Sequence, residues 1–156
     1  MAFDQPLFQV EEFLEKVKSG KAKTFLRSQI PPKKQTKPVL TVTGKTFKDI
    51  VMDPSKDVLV ELYAPWCGHC KKFEPEYKKF AKDLASEKNL VIAKMNADAN
   101  DTPDNYGVMG YPTIYFATAN KKKEPVKYEG NRDLEDLKKF VKEHAEVSFQ
   151  GVKDEL

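Results

Sequence analysis

Only two cysteines occur in the 156 residues, and two residues separate them. A scaffold stapled by several disulfides is therefore excluded. A four-thiolate zinc site is excluded as well, because no second cysteine pair completes it. Histidine is as scarce, with His69 and His144 alone. A mixed site of Cys67, Cys70, His69 and His144 would need His69 to turn back between its own neighbours, and the spacing is not that of a zinc finger. No metal or cofactor site is expected. No apolar run approaches the roughly 18 residues that cross a bilayer, so no membrane span is expected. Neither sign of charge dominates: 27 basic residues face 24 acidic ones for a net +3. That balance, with no basic stripe interleaved with aromatics, argues against nucleic acid. Lys121-Lys122-Lys123 reads as a solvated loop. What remains is 40% hydrophobic and 33% charged sequence, the composition of a highly charged globular domain with some extra chain.

The two ends of the chain conflict. Met1-Ala2-Phe3-Asp4 lacks the basic stretch and apolar core of a signal peptide. Lys153-Asp154-Glu155-Leu156 is the signal that returns proteins to the endoplasmic reticulum. Such a signal has a use only on a chain that enters the secretory pathway. The expectation is a C-terminal piece of a longer secreted precursor, located in the reticulum lumen and recognised there by the retrieval receptor.

Val10, Phe13, Leu14 and Val17 recur at helical spacing until Gly20. Residues 31–38, rich in Pro and Lys, read as an extended linker. Residues 1–37 are thus expected to be the last helix of a preceding domain plus a connection. The alternative is that this helix belongs to the domain that follows. From 39 to 43 a strand is predicted, then a short helix over 45–52. Val58 to Ala64 is almost continuously apolar, the mark of a strand buried on both faces. A long helix over about 68–86 follows, with Cys70, Phe73, Tyr77, Phe80, Ala81 and Leu84 on one face and Pro75 inside it. Another buried strand spans 90–95, one helical turn 102–106, an antiparallel hairpin 113–117 with 125–129, and a last helix from Leu134 to about His144. Residues after Val147 read as a tail. This order implies an α/β fold, a central mixed β-sheet flanked by helices on both faces, over residues 38–146. Residues 147–156 carry the retrieval signal.

The cysteine pair directly follows a buried strand and opens a long helix. A first helical turn offers unpaired N–H groups and the positive end of the macrodipole, and both favour thiolate over thiol. Cys67, at the helix start and expected to be exposed, is the candidate nucleophile. Cys70, one turn in on the buried face, is the candidate resolving thiol. Gly68 leaves Cys67 uncovered, and His69 places an imidazole near the sulfur. The plain alternative for such a pair is a structural disulfide or accidental spacing. Glu61 is the next anomaly, a carboxylate inside an apolar strand, which is costly without a partner or a task. The expected task is to accept and return the proton of Cys70. Lys94, on another apolar strand, is its natural countercharge. The alternative for both is a structural ion pair.

These residues match a family. Tyr63-Ala64-Pro65-Trp66-Cys67-Gly68-His69-Cys70-Lys71 resembles the active-site signature of the protein disulfide isomerases, and Gly110-Tyr111-Pro112-Thr113 resembles their cis-proline loop. The resemblance runs from about Pro38 to Ala145 and implies a thioredoxin fold. It implies Cys67 and Cys70 as the redox pair, Glu61 as the buried acid and a cis Pro112 beside the dithiol. It also implies that the Tyr111 backbone pairs with substrate as an added strand. Trp66 joins Tyr111 and Pro112 as expected substrate-binding residues. Arg132 matches an arginine that swings toward the site and lowers the second thiol's pKa; by itself it would read as an exposed loop charge. His69 between the cysteines is expected to favour the oxidising end of the roughly 4 kcal/mol that separates thioredoxin from protein disulfide isomerase.

Residues 1–37 resemble the closing helix and linker before the last catalytic domain of multi-domain members. Val51 to Pro54 and Ile92 to Met95 resemble the member with three catalytic domains. Asn96 departs from the pattern, where many relatives carry Asp. The implied activity is formation, reduction and rearrangement of disulfides in cysteine-containing unfolded or misfolded secretory polypeptides, with glutathione or other thiols as redox partners. A peptide-binding chaperone module with secondary redox activity is the competing reading, and a general cytosolic reductase is a third.

Overall fold

The apolar run around Val60 becomes the central strand, β2 (Asp57–Tyr63), because both of its faces are covered. A computed structural model describes residues 5–22 and 25–149. Around β2 lie β1 (Leu40–Val42), β3 (Leu90–Asn96), β4 (Thr113–Ala117) and β5 (Val126–Lys127). The sheet order is β1-β3-β2-β4-β5; the first three strands run parallel, while β4 and β5 join antiparallel. The helices are α1 (Gln5–Lys18), α2 (Phe47–Ile50), α3 (Gly68–Asp83) and α4 (Leu134–His144), with a 3-10 turn at Asp104–Tyr106. The mixed sheet between helices is the arrangement the sequence predicts.

Side chains alternate across a strand, and this decides what β2 presents to each layer. Val58, Val60 and Leu62 pack with Phe47 and Val51 around α2 and with Tyr106. Leu59 packs on the other face with Phe73, Tyr77 and Phe80 of α3 and Leu137 and Val141 of α4. Glu61, two residues beyond Leu59, therefore shares the face of α3. In register it lies opposite Lys94 on β3 and Ile114 on β4. The buried Tyr77 hydroxyl ties the layers together, donating to the Leu59 carbonyl at 3.1 Å and the Ala93 carbonyl at 2.8 Å. Burial raises its pKa well above that of an ordinary tyrosine.

Two loop expectations are corrected. Lys122 is not solvated: it is 8% exposed, and its ammonium donates to the Lys56 carbonyl at 2.6 Å and the Ala117 carbonyl at 2.8 Å. Burial pushes its pKa down to about 8, opposed by the charges of Asp57, Asp53 and Glu146. Nor is the chain a free tail directly after Val147. Asp57 Oδ2 accepts the N–H groups of Glu146, Val147 and Ser148 at 3.0, 2.9 and 2.9 Å, and also the Ser148 hydroxyl. Asp57 Oδ1 accepts from Ala119 N–H at 3.0 Å. Phe149 is buried in the core beside α4. The retrieval tetrapeptide Lys153–Leu156 lies outside the described residues.

The described residues of 25–37 form no helix or strand, yet they are fastened to the domain. Arg27 N–H and Nε–H donate to the Asp101 carboxylate at 2.7 and 3.2 Å. Gln29 exchanges bonds of 2.8 and 3.0 Å with the buried Asn100 amide. Gln35 accepts from Thr41 N–H at 2.6 Å. Gly44 permits the approach, since a Cβ there would stand 2.8 Å from the Arg27 carbonyl oxygen. In contrast, the apolar stripe of α1 (Val10, Phe13, Leu14, Val17) is exposed.

Candidate active site

Cys67 is the N-cap of α3. Its Sγ accepts the backbone N–H of Cys70 at 3.1 Å, the place a serine or aspartate oxygen takes in an ordinary cap. A donor from the first turn aimed at this sulfur favours its thiolate. Cys67 and Cys70 are joined in a disulfide with Cα atoms 5.3 Å apart. The expected exposure of Cys67 is corrected: only 5% of the residue is open, as for Cys70. It packs with Ala64, Cys70, Tyr63 and Tyr111, so the sulfur is reached through a cleft rather than across an open surface.

That cleft has a volume of about 420 Å³ and is lined by Trp66, Cys67, His69, Met109 and Tyr111. Trp66 is 66% exposed and meets the Tyr111 ring edge-on, with centroids 5.5 Å apart. The Tyr111–Pro112 peptide bond is cis, the isomer the resemblance implies. Met109, fully exposed, adds an apolar wall that the sequence reading missed. Its position two residues before Tyr111 was the available signal.

A second cavity, of about 240 Å³, opens on the other side of the dithiol. Glu61, Tyr63, Cys70, Lys71, Glu74 and Lys94 are among its lining. Glu61 is 2% exposed. Burial raises its pKa to about 7, against the attraction of Lys94 and with the help of Glu74; Arg132 pulls weakly the other way. Lys94 acts on Glu61 as a countercharge through its field, and the alternative, a direct structural ion pair between the two, does not form. The Lys94 ammonium lies 3.0 Å from Glu74 Oε1 and 5.2 Å from the centre of the Tyr63 ring. Lys78 completes the cluster 2.8 Å from the same Glu74 oxygen. Hydrogen bonds and charge from Lys78 and Lys94 hold Glu74 down at about 2. Glu74 was not foreseen. Its i,i+4 spacing to Lys78 is visible in sequence, but its contact with Lys94 depends on how α3 crosses β3. Arg132 is exposed and reaches the site only through its field on Glu61.

The arrangement thus has a front cleft giving access to Cys67 and a rear cavity shared by Cys70 and a carboxylate that titrates near neutrality. Among the described residues, no cluster of three or more His, Cys, Asp or Glu side chains is placed to hold a metal, and no helix is long and apolar enough to cross a membrane.

A strand–Cys–helix dithiol on a five-stranded mixed sheet defines a class, and the model of the thioredoxin family matches residues 38–143. The chain belongs to the thioredoxin family, among the domains from which protein disulfide-isomerases are built. It is 56% identical over 149 residues to human protein disulfide-isomerase A4, covering 94% of this chain and 23% of that protein. It is 55% identical over 148 residues to the probable protein disulfide-isomerase A4 of Caenorhabditis elegans, covering 94% and 24%. The chain therefore spans about a quarter of the length of these curated relatives. Among solved structures, the first thioredoxin domain of mouse protein disulfide-isomerase A4 superposes with a TM-score of 0.61 at 38% identity, covering 70% of this chain and 77% of that one.

Proposed function

We propose that this chain is a thiol–disulfide oxidoreductase and isomerase unit acting on cysteine-containing, unfolded or misfolded secretory polypeptides. One observation carries the reading: the Cys67–Cys70 disulfide closes the first turn of α3 between a solvent cleft at Cys67 and a cavity shared by Cys70 and Glu61. In oxidation, a substrate thiolate attacks Cys67 Sγ, the enzyme S–S bond breaks, and Cys70 leaves as a thiolate. Protonated Glu61 supplies its proton. A second substrate thiolate then attacks the substrate sulfur of the mixed disulfide and releases Cys67 as a thiolate. The substrate gains a disulfide and the enzyme is left as a dithiol. In rearrangement, the Cys67 thiolate attacks a substrate disulfide. One substrate sulfur leaves as a thiolate and attacks a further disulfide of the substrate, and a substrate thiolate finally attacks the substrate sulfur of the mixed disulfide and frees Cys67 as a thiolate. Where a substrate stays bound too long, Cys70 gives its proton to ionised Glu61 and attacks Cys67 Sγ, so that the Cys67–Cys70 bond re-forms and the substrate leaves reduced, as a thiolate.

Trp66 and Tyr111 border the cleft and are assigned to substrate binding, with Pro112 setting the loop and the Tyr111 backbone as the pairing edge. His69 and Arg132 are assigned to favour thiolate at the dithiol, and Lys94 to act on Glu61 through its field. Glutathione or another thiol partner resets the redox state. The sequence Lys153–Leu156 assigns the chain to the reticulum lumen through the retrieval receptor. Residues 38–146 are assigned as the core of the catalytic unit, to which 27–35 and 147–149 are fastened. Residues 1–37 are read as the closing helix of a preceding domain with its connection, a reading favoured by the exposed apolar stripe of α1.

The exposed Trp66 and Met109 also favour a second reading, a peptide-binding chaperone module. Refolding of a scrambled disulfide protein separates the two. A Cys67→Ala variant is expected to fall to the uncatalysed rate, and full retained activity would leave binding alone.

A further inference from the structure

Lys94 has two carboxylates within its range. Glu61 is its direct neighbour in the β2–β3 register, and parallel strands lie about 4.8 Å apart. Glu74 projects into the same cavity from α3 and takes the ion pair at 3.0 Å. Among the described residues, no hydrogen bond or ion pair within 4.0 Å reaches the Glu61 carboxylate. We propose that Glu74 is a positioning residue of the dithiol centre: by holding Lys94, it keeps that ammonium off Glu61 and leaves the buried carboxylate unpaired in the cavity it shares with Cys70.

The other groups around Glu61 do not take over this part. Ile114, its partner on β4, is apolar. Tyr63 and Lys71 line the cavity, and the ring of Tyr63 lies beneath Lys94. The Tyr77 hydroxyl is committed to two carbonyls. Arg132 is exposed, and its effect on Glu61 is the weakest of the named charges. Lys78 anchors Glu74 from the solvent side at 2.8 Å, so the capture of Lys94 has a fixed base on α3. A direct Glu61–Lys94 pair would turn Glu61 into an ordinary, weakly basic carboxylate, poorly matched to a thiol at neutral pH. Capture of Lys94 by the outer carboxylate preserves that match.

The consequence for catalysis rests on the proton role proposed for Glu61, whereas the capture itself is read without turnover. Glu61 is titrated by carboxyl carbon NMR in the oxidised full chain, where the cysteines do not ionise. Glu74→Gln is expected to lower the Glu61 midpoint by about one pH unit or more, as a freed cation comes within pairing distance. In a Lys94→Met background the same substitution is expected to shift it less than half as far. An unmoved midpoint in Glu74→Gln, or a shift half as large or larger without Lys94, would overturn the inference. The acid limb of the pH profile for Cys70-dependent release of a mixed disulfide is expected to follow the midpoint downward. If Glu61→Gln leaves that profile unchanged, the proton role fails, while the titrations still decide the capture.

Discussion

Glu61 is the residue on which the energetics of the site turn. A glutamate ordinarily titrates near 4.5, whereas burial holds this one at about 7. The folded protein thus binds the Glu61 proton more tightly than the unfolded chain does. The resulting stability is fully present below pH 4.5 and is lost as pH rises through about 7. The difference corresponds to about 3 kcal/mol between those limits. Glu61→Gln has no such proton to lose. Its stability relative to the parent is expected to rise by roughly that amount between pH 4 and pH 8, read from denaturant midpoints of the oxidised proteins. Parallel curves would mean that Glu61 does not titrate in this window. Glu61 was legible because a carboxylate in an apolar strand breaks a strong pattern. Its relation to Lys94 was half legible: sequence supplies both charges, but not the helix that interposes Glu74. The burial of Cys67 was hidden because it depends on the Tyr111 loop, 44 residues away in sequence.

At the scale of elements, hydrophobic period carried most of the fold. β2 and β3 stand out as buried runs, and α3 and α4 as amphipathic helices, because each is long enough for its period to show. The errors fall where polar groups are bound by distant partners. Lys122 looked solvated because a run of three lysines gives no sign that the middle one folds back onto two carbonyls. The segment after α4 looked free because its anchor, Asp57, lies 89 residues or more away in sequence. Asp57 accepts four backbone N–H groups and one hydroxyl. Burial would raise its pKa, but the bonds from Ser148, Val147 and Ala119 outweigh it and hold it below the usual carboxylate value of 3.8. Its contribution is therefore present at neutral pH and is lost as pH falls below that region. Asp57→Asn turns an amide N–H₂ toward donors and removes the charge facing Lys122. A loss of about 3 kcal/mol is expected, with faster hydrogen exchange at Glu146, Val147 and Ser148. The rate at which a disulfide substrate is reduced is expected to stay unchanged, because Asp57 and the dithiol stand at opposite ends of β2, ~20 Å apart. Unchanged exchange at those amides would show that other contacts hold the segment.

For the whole molecule, the question is where the cooperative unit begins. The thioredoxin match starts at residue 38, and the composition of 31–38 suggests a passive connection. The contacts suggest an earlier boundary. Arg27, Gln29 and Gln35 bind Asp101, Asn100 and Thr41, and the Asn100 side chain links this arm to Gly44 N–H at 3.0 Å and the Asn96 carbonyl at 2.8 Å. Removing the arm leaves the buried Asn100 amide short of partners, which costs more than the bonds themselves contribute. Ordering an extended segment offsets part of that gain. A chain of residues 37–156 is therefore expected to fold but to be less stable than residues 25–156 by about 2 kcal/mol. Residues 25–156 and the full chain are expected to agree within about 0.5 kcal/mol, since the stripe of α1 is exposed and contributes little burial to this domain. Denaturant midpoints of the three chains measure both differences. Equal stability of the two shorter chains would make the arm a passive linker. The expected gap would make it part of the catalytic unit.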